Sequence, residues 1–290
     1  MLALLNKTKQ FAVIAKLLAY FLIYQYVFVV GGQFAAYMCY RSAVAPVAYG
    51  WFTSLSSPDA VRYNAVGLGV GMLLSGVAMI AHLLFWKYVR VGKGFLREVS
   101  GRVLLLSVFF VGSMMVFFNI AAAWLGLENN MGAEIELMMG SGAGILSMAV
   151  VAPALEEFLF RGAIQGSLMR LFKSPWVGII AASLLFGIIH INPIQVFYAS
   201  CLGMGFGWLY YRTRSLLPVI VGHIINNSVA TVSNMLYGVE ASDAAVAENA
   251  DCALFVTAGL FALLFALLIN KLQPASPLPW REEDQAEQPL

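Results

Sequence analysis

Apolar stretches of about 17–25 residues, the length an α-helix needs to cross a hydrocarbon core of about 30 Å, recur along the chain from end to end. Few folds accommodate that pattern, because only helices and closed barrels satisfy their own backbone groups in lipid. Polar breaks place eight spans near residues 14–38, 65–86, 103–125, 142–169, 176–191, 194–211, 216–236 and 253–270. The predicted fold class is all-α, a polytopic transmembrane helical bundle. The fifth and sixth spans are short, and only Asn192 and Pro193 separate them, so they also fit a hairpin that stops short of the far face. Composition points the same way. Hydrophobic residues make up 61% of the chain and charged residues 11%, against about 25% charged in soluble domains. A core of this size cannot hide that excess, so the solvent is lipid. The net charge of +2 and the lack of any basic cluster on a soluble domain exclude nucleic acid as a partner.

Charge sets the expected orientation. Lys87, Arg90, Lys93, Arg97 and Arg102 follow the second span, Arg170 and Lys173 the fourth, and Arg212 and Arg214 the sixth. These belong on the cytoplasmic side. The intervening loops carry Glu128, Glu134 and Glu136, then Glu240, Asp243, Glu248 and Asp251. That alternation predicts both termini inside, with Arg41 and Arg62 as minor exceptions. Lys7, Lys9 and Lys16 precede a long apolar run with no convincing small-residue cleavage site, so this is read as a retained first span. The expected location is an integral, multi-pass protein, in the plasma (inner) membrane if the source is bacterial. Four regions follow: motif-free spans over 1–141, a motif-bearing core over 142–236, an outer loop and last span over 237–272, and a disordered, Pro- and acid-rich cytoplasmic tail over 273–290. Cys39, Cys201 and Cys252 form no CxxC pair, which argues against a thiolate metal site. Unpaired thiols are expected, with a Cys39–Cys252 disulfide as the alternative.

A charged side chain at a helix centre in lipid costs roughly 2.5–3.5 kcal/mol on insertion scales, so each one needs a reason. Span four contains Glu156, Glu157 and Arg161, span five ends in His190, and span seven holds the run from His223 to Asn227. Glu157 and Arg161 are four apart and share a helix face, which suits a clamp that holds the helix. Glu156 points about 100° away and is free to face a polar cavity, where a carboxylate can take a proton from water. Phe186 and His190 are also four apart, as are His223 and Asn227. At 1.5 Å per residue, Glu156 lies roughly 20 Å from the cytoplasmic end of its span, His190 roughly 20 Å along its own, and His223 and Asn227 roughly 10–17 Å along theirs. One pocket could therefore hold all four. Each cluster alone has a plainer reading: a Glu–Arg clamp between helices, a hydrogen-bonding histidine, or asparagine as helix glue. His82, alone near the end of span two, has no assigned role. Gly67 and Gly71, like Gly203 and Gly207, match the small-xxx-small pattern of close helix packing.

Taken in order, Glu156-Glu157-x-x-x-Arg161, Phe186-x-x-x-His190 and His223-x-x-x-Asn227 resemble the motifs of the CAAX protease and bacteriocin-processing (CPBP, or Abi) family. The resemblance covers roughly residues 142–236. It implies a membrane-embedded endopeptidase related to the type II CAAX prenyl protease. By the same resemblance, Glu156 and His190 activate water, and His223 and Asn227 stabilise the oxyanion. Glu157, Arg161 and Phe186 support them. No cofactor is the favoured expectation. Zinc held by Glu156, His190 and His223, with an open fourth position, is the second reading, weakened by the lack of a His-Glu-x-x-His motif. The implied partners are the lipid bilayer and a peptide or membrane-protein substrate, lipidated or not. Two other functions use the same residues: a non-catalytic membrane scaffold or bacteriocin-immunity protein, and a proton-coupled transporter. No inverted repeat supports the latter.

Overall fold

The computed structural model describes residues 2–55, 57–89 and 99–273, without the side chains of residues 2–7. The expectations for Arg90, Lys93 and Arg97 and for the tail from residue 274 fall outside the described residues. Every regular element among the described residues is helical. In chain order these are α1 (Leu2–Ala43), α2 (Tyr49–Thr53), α3 (Pro58–Phe85), α4 (Gly101–Trp124) and α5 (Gly132–Met139). Then come α6 (Gly142–Phe172), α7 (Pro175–Ile188), α8 (Pro193–Thr213), α9 (Leu217–Tyr237), α10 (Val239–Glu248) and α11 (Cys252–Leu272).

The sequence punctuates these helices with polar caps. Ser57 and Ser100 accept the N–H of Ala60 and Val103, and Ser174 and Asp251 accept those of Val177 and Leu254. Such a side chain satisfies one of the N–H groups that a helix start leaves open. Pro58, Pro175 and Pro193 sit at the first turn of their helices, where proline's missing N–H does no harm. Ser141 does two jobs, capping α6 through Gly144 and donating to the Ala65 carbonyl of α3 at 2.9 Å.

All eight predicted spans are helical, and the protein is an integral, multi-pass membrane protein. Among the described residues, five helical stretches are long and apolar enough to cross a membrane: Thr8–Ala43, Pro58–Phe85, Gly101–Trp124, Gly142–Phe172 and Cys252–Leu272. Their outward faces carry Leu22, Ile23 and Tyr26 of α1 and Leu260, Leu263 and Leu267 of α11, all more than half exposed. Water would not tolerate that surface, whereas acyl chains do. α7 has 14 residues, a rise of about 21 Å, short of a core of about 30 Å. It packs on α8 as a hairpin. That length accords with the hairpin reading of the fifth and sixth segments.

α6 is the axis of the fold. Its Leu155, Leu159, Phe160, Ile164 and Leu168 pack with Ile14 and Leu17 of α1, Met79 and Leu83 of α3, and Phe186 of α7. A second core joins Phe110 and Met114 of α4, Leu202 and Phe206 of α8, Val219 of α9 and Ile269 of α11. α1 and α3 touch backbone to backbone. A Cβ at Gly71 would lie 2.6 Å from the Phe28 carbonyl oxygen, and one at Gly67 would lie 2.7 Å from that of Gly32. This is the close packing that the small-residue spacing predicts. Cys39, Cys201 and Cys252 are all free thiols.

Candidate active site

The two glutamates sit where α6 changes its winding. Residues Ala152–Glu156 are α-helical, and Glu157–Gln165 form a π-helix, a form that recurs at functional sites. Glu157 and Arg161 are both fully buried, and two charges out of water need each other and further hydrogen bonds. Arg161 Nη1 lies 2.9 Å from Glu157 Oε1, and Nη2 donates to the Gly203 carbonyl on α8 at 3.1 Å. The guanidinium also lies over the rings of Phe186 and Phe206, at 4.5 and 5.4 Å from their centroids. The predicted clamp exists, and it ties α6 to α7 and α8 together.

His223 of α9 completes this network. Its Nδ1 lies 2.7 Å from Glu157 Oε1. A carboxylate oxygen accepts, so Nδ1 carries the proton and Nε2 is turned toward Glu156, 3.6 Å from its Oε2. The Glu156 side chain keeps 14% of its surface exposed while that of Glu157 keeps none. The neighbouring carboxylates therefore have separate places: one locked in the helix contact, the other partly exposed.

The sequence places His190 at the end of a span that runs to residue 191. The structure ends α7 at Ile188, because the chain turns back into α8. His190 Nδ1 returns to the Phe186 carbonyl at 2.9 Å, filling an acceptor that the end of a helix leaves open. That bond fixes Nδ1 as the donor and leaves Nε2 with its lone pair when the ring is neutral. Phe186 joins the two histidines edge-on, at 5.1 Å from His190 and 5.8 Å from His223. The turn itself is tight. Asn192 N–H bonds to the His190 carbonyl at 2.6 Å across Ile191, whose φ is +62°. Asn192 is buried and donates to Asn129 Oδ1 at 2.8 Å, while its own Oδ1 accepts the Asn130 N–H.

Asn227 lies one turn beyond His223 and faces α6. Its Nδ2 donates to the Met148 carbonyl at 3.1 Å. Met148 belongs to an earlier π-helical stretch, Ser147–Val151, in which Ala152 N–H bonds to Ser147 O. One residue on, the same pattern would need an N–H from Pro153, which proline lacks. Asn227 fills the acceptor left open.

The structure therefore joins Glu156, Glu157, Arg161 and His223 directly, with Phe186 linking His190 to them and Asn227 on the adjoining turn. It adds residues that motif spacing did not select. Gln165 donates to the Gly207 carbonyl at 2.9 Å, one helical turn from the Arg161–Gly203 contact. Its position, four residues after Arg161, was the available signal. Tyr198, Asn226, Asn119 and Asn192 carry no such signal. His82, left without a role, bonds to Tyr24 at 3.1 Å. Among the described residues no three His, Cys, Asp or Glu side chains are grouped to hold a metal ion.

Comparison with known proteins falls on this same region. Residues 140–229 match the family described as type II CAAX prenyl endopeptidase Rce1-like. The match falls on the motif-bearing core, which is similar to CAAX proteases over these residues. The Bacillus subtilis (strain 168) protein named "Putative membrane peptidase YdiL" is 28% identical over 112 residues, 38% of this chain and 46% of the relative. The match thus spans about half the length of that relative. No solved structure matches the chain. The Rce1-like match starts just before α6 and ends within α9, so it contains all seven residues quoted for the resemblance and leaves out α1 to α5, α10 and α11.

Proposed function

We propose that the chain is an intramembrane endopeptidase of the CAAX protease type, which hydrolyses a peptide bond presented at membrane depth. The observation that carries this reading is the buried Arg161–Glu157–His223 network, which leaves Glu156 partly exposed beside the second nitrogen of His223. Glu156 takes a proton from a water molecule as its oxygen attacks the scissile carbonyl carbon. His190, with Nδ1 held by Phe186, offers Nε2 as a second acceptor for that water. The carbonyl oxygen gains negative charge and is met by an Asn227 N–H and by the Nε2–H of His223, which carries protons on both ring nitrogens when it serves this role; such donors can supply several kcal/mol to the transition state. The proton on Glu156 then passes to the leaving amine as the C–N bond breaks.

Glu157 supports this role by holding His223 from behind, as a carboxylate orients a catalytic imidazole. The reaction as proposed uses no metal. The donor set supports that choice, since Asn227 is a poor zinc ligand and its amide is already engaged with Met148. The substrate proposed is a peptide or membrane protein, with prenylated C-terminal peptides as the first candidates.

Purified protein in detergent, incubated with prenylated and unprenylated peptides, tests the reading. Cleavage that Glu156→Ala and His190→Ala both abolish supports it. Equal cleavage by Glu156→Ala would remove it.

A further inference from the structure

We propose that Tyr198 and Asn226 are positioning residues that fix the direction in which Asn227 offers its side-chain N–H groups. The proposal rests on the hydrolase reading of Asn227 given above. Neither residue belongs to the motifs, and Tyr198 lies on α8, away from the two motif helices that Asn227 joins.

A chain of side-chain hydrogen bonds runs from one main-chain carbonyl, Met148 O, to another, Met115 O. Met148 O can only accept, so Asn227 must face it with Nδ2. Asn227 Oδ1 then points the other way and accepts Asn226 Nδ2 at 2.9 Å. Asn226 has thereby committed its own amide, and its Oδ1 needs a donor. Tyr198 supplies one, with its hydroxyl 2.6 Å away. The hydroxyl oxygen accepts in turn from Asn119 Nδ2 at 3.5 Å, and the same nitrogen donates to the Met115 carbonyl at 2.9 Å. Every link in this chain donates in one sense, from α4 through α8 and α9 to α6.

Such a relay switches as a unit. If Asn226 turned over, its oxygen would face the Asn227 oxygen. If Asn227 turned over to relieve that contact, its oxygen would face the Met148 carbonyl. Each step leaves an acceptor without a donor, which is unfavourable away from water. Asn226 is 7% exposed, so water does not readily repair the loss. The origin of the polarity is Pro153, whose missing N–H leaves Met148 O open to Asn227.

The consequence for chemistry lies in the second hydrogen on Asn227 Nδ2. An amide NH2 has two donors, and one is committed to Met148. The other has no protein acceptor among the described residues. The relay keeps this N–H, rather than the amide oxygen, presented to a developing oxyanion.

The test uses the full chain in detergent and the peptide that the wild type cleaves best from a prenylated and unprenylated set. Tyr198→Phe removes only the hydroxyl. It is expected to lower kcat about tenfold with KM within about twofold, a loss confined to the transition state. In an Asn227→Ala background the same change should cost nothing further, because no amide is left to orient. Unchanged kcat in Tyr198→Phe, or a full second loss on top of Asn227→Ala, overturns the relay. Glu156→Ala separates the two claims. If it alone abolishes cleavage while Tyr198→Phe is silent, the hydrolase reading survives and the relay does not. Selective 15N-asparagine spectra read the relay without any substrate. The Asn227 NH2 signals should shift in Tyr198→Phe although the two side chains do not touch, and unshifted signals overturn the proposal.

Discussion

His223 Nδ1 and Glu157 Oε1 lie 2.7 Å apart with both side chains buried, and the Arg161 guanidinium closes on the same oxygen. One carboxylate thus holds an arginine from its own helix and a histidine from α9. The second oxygen, Oε2, has no hydrogen-bond partner among the described residues. The whole arrangement depends on charges that balance inside the bundle.

Removing the arginine should therefore be severe. Arg161→Ala leaves Glu157 as a buried charge held by one histidine, and breaking a buried pair in this way costs about 3–5 kcal/mol. A lysine is not an adequate substitute, because it cannot both stack on Phe186 and reach the Gly203 carbonyl. Thermal unfolding in detergent should show a marked loss of stability in Arg161→Ala and a smaller one in Arg161→Lys. Equal stability of all three proteins would refute the clamp.

Glycines on α8 should respond unlike a glycine that faces lipid. A Cβ at Gly203 would meet Arg161 Nη2 at 3.0 Å and Phe186 at 3.1 Å, and one at Gly207 would meet Gln165 and Ile179 at 2.8 Å. Alanine at either position should destabilise the protein by about 1–3 kcal/mol through overpacking. Gly112 on α4 has nothing within 4 Å of such a Cβ. Gly112→Ala should be neutral or slightly stabilising, since alanine is the better helix former. The same unfolding assay compares the three.

The turn after His190 is strained in a way that can be relieved. Ile191 is β-branched, has φ +62° and is 85% exposed. Its side chain buries little, whereas left-handed backbone costs a residue of this kind about 1–2 kcal/mol. Ile191→Gly should raise the melting temperature. Asn192→Ala should lower it, because Asn129 and Asn130 lose their shared partner. A fall in both variants would contradict the account of this turn.

The sequence makes the helices legible because lipid demands long apolar runs, and the Ser-Pro and Asn-Pro pairs mark where several of them start. The clamp of Glu157 with Arg161 is legible from a spacing of four. What periodicity hides is the change of winding in α6. It shifts the hydrogen-bond ladder around Pro153 but leaves the apolar face intact, so the open Met148 carbonyl has no signature. Apolar neighbours carry the fifth predicted span as far as His190 at its end, and the turn into Asn192 and Pro193 stops α7 two residues earlier, at Ile188. Tyr198 and Asn119 are single polar residues on apolar helices, and nothing in a single chain distinguishes a relay from ordinary helix contacts. The relay partners lie 28 and 79 residues apart, beyond any local pattern.

The central claim is that Glu156 activates water for peptide hydrolysis. The most direct test is cleavage of prenylated and unprenylated peptides by purified protein, with Glu156→Ala alongside and metal content measured on the same samples. The account predicts cleavage by the wild type, none by Glu156→Ala, and no change in rate after chelation and removal of metal. Cleavage that persists in Glu156→Ala, or that rises and falls with bound zinc, would contradict it.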